Sequence, residues 1–160
     1  MIRSFIVAAA SAAVLALSAT AYAQQADHGT ADEAKAMLMK AVAALKVDKQ
    51  KTLDLINEGE GGAFFDRDLY VFCANASDGK TVAIGNPNAR QLVDVDTRTL
   101  KDANGKAFGQ ELYDGYQKPE GQITEVSYIF VRPGPDKTPV PKVSFVTRVG
   151  DLGCGVGYYK

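Results

Sequence analysis

Apolar and polar positions divide the chain into two textures. Between Thr30 and Asn57, Ala34, Met37, Leu38, Ala41, Val42, Leu45, Thr52, Leu53 and Ile56 recur at the spacing of one helical face. No Gly or Pro interrupts the run. Thr30 and Glu33 stand at capping-box spacing, and "NEGEGG" supplies glycines for a left-handed stop. The pattern predicts one long helix over about 30–57, roughly 40 Å long at the helical rise. After Gly62 the period shortens. "DLYVFCANA", "TVAIG", "GQITEVSYIFVRPG", "KVSFVTRVGD" and "CGVGYYK" read as strands. "SDGK" is a hairpin turn and "PDKTPVP" a proline-rich hairpin loop. Between the second and third strands the chain is irregular, with a short helix over Gly109–Gln117. Strands joined by short turns, with helices before and between them, predict an α+β domain on an antiparallel sheet of residues 68–160.

The first residues have a different character. Arg3 precedes the apolar run "FIVAAASAAVLAL", and Ala21 and Ala23 occupy the small-residue positions of a cleavage site. This predicts a signal peptide over residues 1–23, cleaved after Ala23, and a periplasmic mature domain of residues 24–160. The run is about 13 residues, short of the roughly 20 of a spanning helix. Gln24–Gly29 reads as a frayed polar tail. The formal charge of −1 becomes one unit more negative when Arg3 is removed, which leaves no basic footprint for nucleic acid.

Candidate chemistry narrows the function classes further. General base work at neutral pH most often uses histidine, and the one histidine, His28, falls in the tail. No G-x-S-x-G elbow or S-x-x-K run occurs, so an enzyme is not expected. Asp66, Asp68, Asp94 and Asp96 invite a metal or paired-carboxylate reading, but "DVDTRTLKD", and Asp102 and Asn104 in "DANGK", lack the complete spacing of a calcium loop and read as turn formers. No metal or cofactor is expected. Two cysteines, Cys73 and Cys154, remain in an exported chain, which favours a disulfide over two buried thiols.

Taken in order, "DLYVFCANASDGKTVAIGNP", "DANGKAFGQELYDG", "EVSYIFVRPG…PKVSFVTRV" and "GCGVGYYK" resemble a single Cache domain, the PAS-like extracytoplasmic sensor module of bacteria. The resemblance covers about residues 30–160. It implies a long N-terminal helix packed on a five- or six-stranded antiparallel sheet, whose opposite face and overlying loops form a small-ligand pocket. It also implies that the last strand lies beside the first, which would bring Cys73 and Cys154 within disulfide reach. Cache helices in this resemblance also suggest a homodimer through the N-terminal helix. The related sensors act within membrane kinases and chemoreceptors. Lys160 closes the sequence soon after Tyr158, so a separate membrane sensor kinase or chemoreceptor is expected to carry the signal.

Binding candidates cluster in the last strands. Lys142 is the leading one, because it resembles a pocket lysine in a K-x-[ST]-[YF]-V strand. A lysine among aromatic neighbours offers a point charge for a carboxylate, with tyrosine hydroxyls as further donors. The competing view is a solvated edge-strand lysine that blocks aggregation. Tyr128 and Arg132 share parity on the preceding strand. Tyr70 and Phe72 share a face of the first strand. If Cys73 and Cys154 share a face with Tyr158, these two take the opposite one, and Phe72 is assigned to the pocket. Phe72, Tyr128 and Phe145 are expected to bury the ligand's apolar part, with Lys142 meeting its charge. Arg132 and Arg148 taken singly read as surface or ion-paired residues more readily than as pocket residues. The double-Cache amino-acid signature needs an Arg-x-Trp run, and the chain has no tryptophan. A small organic anion, a carboxylate, is the expected ligand. The alternative is an interaction or dimerisation module without a working pocket.

Overall fold

A computed structural model describes residues 27–160. The apolar leader and the cleavage expected after Ala23 lie outside the described residues. Helices α1 (Ala31–Val47) and α2 (Lys49–Glu58) precede strands β1 (Phe65–Asp66), β2 (Leu69–Asn75) and β3 (Thr81–Ile84). Two 3-10 turns, Pro87–Leu92 and Thr97–Thr99, and helix α3 (Phe108–Tyr116) fill the middle. Strands β4 (Thr124–Val131), β5 (Pro139–Val149) and β6 (Leu152–Tyr159) complete the sheet. All pairings are antiparallel, in the order β1-β2-β6-β5-β4, with β3 also on β2. The α+β architecture is the expected one, and the last strand lies at the centre of the sheet beside β2.

The single long helix is corrected to two. Asp48 breaks it with extended backbone, φ −148° and ψ 96°. Its N–H still bonds the Ala44 carbonyl, closing α1, while its carboxylate accepts the Lys51 N–H and caps α2. An aspartate makes both bonds at once, so the break costs little. It falls in the gap between Leu45 and Thr52, where the apolar period has no member to lose. The two stripes then address different strands: α1 packs on β2, β5 and β6, and α2 packs on β3 and β2. The Thr30–Glu33 capping box forms as expected.

The tail also departs from expectation. Gly29 is buried, and a Cβ there would come within 2.2 Å of Leu69 Cγ. The Gly29 N–H donates to Asp68 at 2.7 Å. Residues 28–30 therefore form a strap against the start of β2.

Cys73 and Cys154 stand directly opposite each other on β2 and β6 and are joined in a disulfide. Both are fully buried on the helix side of the sheet, with Leu69, Val71, Val156 and Phe145. The strand β5 begins earlier than expected, because Pro139, Val140 and Pro141 pair with β4. β6 ends at Tyr159 opposite Lys142, and the Lys160 N–H still donates to the Pro141 carbonyl at 2.9 Å, so the prolines fall where the pairing with β6 runs out and their missing donors cost little. The outer strand β4 is covered by the irregular middle. Asp102 accepts the Ile129 N–H, Lys106 donates to the Ser127 carbonyl at 2.5 Å, and Asn88 donates to the Arg132 carbonyl at 2.8 Å.

Candidate ligand-binding site

The site begins with an alternation in β6. Leu152, Cys154, Val156 and Tyr158 face the helices, while Gly153, Gly155 and Gly157 face the other way. The centre of the sheet therefore has a trough with no side chains of its own. Neighbours fill it. A Cβ on Gly153 would lie 1.9 Å from Tyr116 Cγ, one on Gly155 2.5 Å from Phe72 Cζ, and one on Gly157 2.3 Å from Lys142 Cε. Tyr116 comes from α3, Phe72 from β2 and Lys142 from β5.

Because it lies flat over Gly157, Lys142 is buried, with 1% exposure. This overturns the solvated edge lysine, since β5 is an interior strand. The ammonium is ringed by aromatic faces: Tyr70 at 4.0 Å, Tyr159 at 4.9 Å, Phe130 at 5.3 Å, Phe72 at 5.7 Å and Tyr128 at 5.9 Å. Each ring offers its negative face to the cation. Among the described residues Nζ donates one hydrogen bond, to the Tyr70 hydroxyl at 2.6 Å. An ammonium carries three donors, so two remain. Burial pulls the Lys142 pKa down, opposed by Tyr70 and by the charge of Asp68. Burial pushes the phenols of Tyr116, Tyr128 and Tyr159 up, keeping them neutral.

Beside the lysine runs a cavity of about 30 Å³, lined among others by Tyr70, Phe72, Tyr128, Phe130, Phe108 and Tyr116. That volume admits about one or two waters. Its roof is the irregular middle, through Leu92, Thr97 and Leu100, with Leu112 of α3. Phe108 stacks on Tyr128 with ring centroids 4.1 Å apart. An outer groove of about 200 Å³ shares Leu92 and Phe130 with the cavity, so these two side chains form the partition between them. A ligand larger than water must move that partition.

The structure brings Tyr70, Phe72, Tyr128 and Lys142 together on the face away from the helices. Lys142 touches the cavity through rings that line it and is not itself in the wall. Arg132 joins the edge of the group: its guanidinium lies 5.2 Å over the Tyr159 ring, and Nε is 3.4 Å from the Asp68 carboxylate. Phe145 is the correction. It is packed under α1 with Lys35 over its ring at 4.6 Å, on the opposite side of the sheet from Lys142. Three residues separate it from Lys142, and an odd separation in a strand changes face. Arg148 shares Lys142's parity but lies at the far end of β5, bonded to the Gly150 carbonyl. Asp96 and Asp102 behave as turn formers. Asp96 accepts the Arg98 N–H, and Asp102 accepts those of Asn104 and Lys106.

Sequence reasoning missed Phe130, Tyr159, Tyr116 and Asp68. The alternating glycines "GCGVGYY" were a usable signal for the trough and for Tyr159, which shares their parity. Asp68 stood out only as one of several acids that invite a metal or paired-carboxylate reading, and nothing local tied it to Arg132 or Lys142.

This fold agrees with what the chain matches. It belongs to the single Cache domain family: the model of Single Cache domain 2 matches residues 10–159. The family is non-catalytic. Among solved structures, a methyl-accepting chemotaxis protein from Vibrio parahaemolyticus RIMD 2210633 is 24% identical, with a TM-score of 0.62 over 80% of this chain and 86% of that one. The periplasmic sensor domain of a chemotaxis protein is 22% identical, with a TM-score of 0.57 over 80% of this chain and 88% of that one. No curated protein matches the sequence.

Proposed function

We propose that the chain is a periplasmic sensor domain that binds a small organic anion and hands its occupancy to a separate membrane sensor kinase or chemoreceptor. One observation carries this. Lys142 is a fully buried side chain whose hydrogen bond, among the described residues, goes to the Tyr70 hydroxyl and not to a carboxylate. A buried charge without a bonded counter-ion is costly, and a ligand carboxylate at the two spare donors recovers that cost. Tyr70, Phe72, Tyr128 and Phe130 supply the apolar wall for the rest of the ligand. The relatives support a sensor role, as their names place them in chemotaxis. The test is a thermal-shift panel of small carboxylates, amino acids and amines. A ligand at 100 times its Kd adds about 2.7 kcal/mol, several degrees in Tm for a domain of this size. The response is expected from carboxylates, and lost in Lys142→Ala. A carboxylate response unchanged in that variant removes the lysine from the site.

A second role has its own observation. The outer face of α1 carries Ala36, Met39, Ala43 and Val47, all exposed, Met39 by 52% and Val47 by 89%. These stand at helical spacing and form an apolar stripe suited to the same helix of a second copy. Light scattering distinguishes it: a strict monomer at high concentration excludes the homodimer.

A further inference from the structure

Asp68 lies between β1 and β2, and its side chain is 6% exposed. Its two oxygens are held differently. Oδ1 accepts the Gly29 N–H at 2.7 Å. Oδ2 lies 3.0 Å from His28 Nδ1 and 3.4 Å from Arg132 Nε, yet is aligned for a hydrogen bond with neither. Arg132 Nε is also buried and lacks an aligned partner. Two buried groups of opposite charge that face each other in this way have lost water without gaining a full bond. Arg132 and Lys142 both sit over the Tyr159 ring, at 5.2 and 4.9 Å, and the charge of Asp68 reaches Lys142. The carboxylate thus faces Arg132 directly and acts on Lys142 only through its charge.

We infer that Asp68 is the site's internal anion, holding the place of a ligand carboxylate against Arg132 and Lys142 until a small monocarboxylate displaces it. The inference rests on the anion-binding role proposed above and deepens it. The exchange is one anion for one anion, which favours a monocarboxylate. A dicarboxylate brings a second charge among the aromatic rings, and an amine meets two cations.

The displaced group is also the one that holds the N-terminal strap. Asp68 binds Gly29 and approaches His28, and the His28 carbonyl accepts from Arg67, which pairs with Glu33 of α1. Moving Asp68 therefore loosens the segment that enters α1, on the far side of the sheet from the ligand. Occupancy gains a route off the pocket face through a side chain with two alternative sets of partners.

Amide hydrogen exchange at Gly29, read residue by residue by NMR on the protein with residues 27–160 intact, tests this. Lys142→Met withdraws a charge that favours the buried Asp68. Exchange at Gly29 is expected to quicken about three- to tenfold, toward the lower end for residues of one network. Asp68→Asn is expected to quicken it at least as much, and the double variant no more than Asp68→Asn alone. Amides of β5 and β6 report whether the whole fold has weakened. An unchanged Gly29 rate in Lys142→Met overturns the coupling. Acetate, propionate and butyrate, each against chloride at matched ionic strength, then test the displacement. A raised Tm with faster Gly29 exchange supports it. A raised Tm with unchanged Gly29 exchange overturns the displacement and leaves anion binding standing. No rise in Tm with any of the three overturns both for this class of ligand.

Discussion

The two faces of the central sheet are built to opposite rules. On the helix side, β2, β5 and β6 present Val71, Cys73, Phe145, Val149, Leu152, Cys154 and Val156 to α1 and α2, and a disulfide ties the two central strands. None of these strand side chains is charged. On the other side the same strands present Tyr70, Phe72, Lys142, Ser144 and three glycines, under a roof made of turns and one short helix. The first face contributes apolar burial and cross-linking. The second holds a buried ammonium, several buried phenols and a small cavity, all of which lower stability relative to a well-packed apolar layer. A domain this size has a margin of only about 5–15 kcal/mol, so a costly face requires a secure one behind it. The difference indicates where stability and recognition are separated: at the backbone of β6, whose alternate residues serve each.

Substitutions on either face can break that division. Removing the disulfide with Cys73→Ala and Cys154→Ala acts on the secure face and has the largest expected effect. It opens a link across 81 residues of sequence, and the chain-entropy model puts the loss at about 4.5 kcal/mol. Urea denaturation should show a midpoint shift of that size, with ligand response retained in the protein that remains folded. If recognition disappears first, the faces are not separate. Gly153→Ala comes next. Its Cβ would fall 1.9 Å from the Tyr116 ring, so α3 must shift, at about 3 kcal/mol for an overpacked core position. A wild-type midpoint for this variant would mean the trough is not filled as described.

Lys142→Met should have the opposite sign. Methionine lies over Gly157 with a similar stem and no charge, and stability at neutral pH is expected to rise by about 1 kcal/mol while carboxylate response is lost. The pH dependence sharpens it. Burial lowers the Lys142 pKa below its unfolded value of 10.5. Between the folded and unfolded values the unfolded chain binds more protons, so this group's contribution rises with pH there. The penalty is complete below the folded value and relieved as pH approaches 10.5. The advantage of Lys142→Met over wild type should therefore shrink on the alkaline side. Melting curves of both proteins at stepped pH, compared as differences, cancel the tyrosines common to the two. An advantage that stays constant to pH 10.5 would show that Lys142 keeps an ordinary pKa.

Gly157→Ala has the smallest expected effect on stability, because the atoms its Cβ meets first, Lys142 Cε at 2.3 Å and Ser144 Oγ at 2.4 Å, belong to side chains that can turn away. The lysine must lift from the trough, and carboxylate affinity should change more than the melting temperature. Equal changes in both would point to a backbone clash with the Val143 carbonyl, 3.0 Å from that Cβ.

Much of this architecture was legible before any coordinates. The apolar stripe of the helices, the capping box, the five main strands and the turn chemistry of "SDGK" are local patterns, and local patterns survive in one dimension. Parity could have gone further than it did: it separates Phe145 from Lys142, and it lines up Gly153, Gly155, Gly157 and Tyr159 on one side. The break at Asp48 was harder, because the apolar period passes over it undisturbed and only the direction of the twisted sheet calls for two helices.

Residue order alone determined the alternation of β6, the pairing potential of two cysteines in an exported chain, and a lysine among aromatic strands. Those follow from the period of two and from composition. Which face the lysine would occupy, that it would lie down over Gly157, and that Asp68 would stand beside Arg132 were decided by tertiary structure. They depend on contacts between residues far apart in the sequence, Lys142 with Tyr70 and Arg132 with Asp68 among them. Such contacts exist only once the strands are ordered, because long-range charge and burial are properties of the assembled sheet and not of any segment within it.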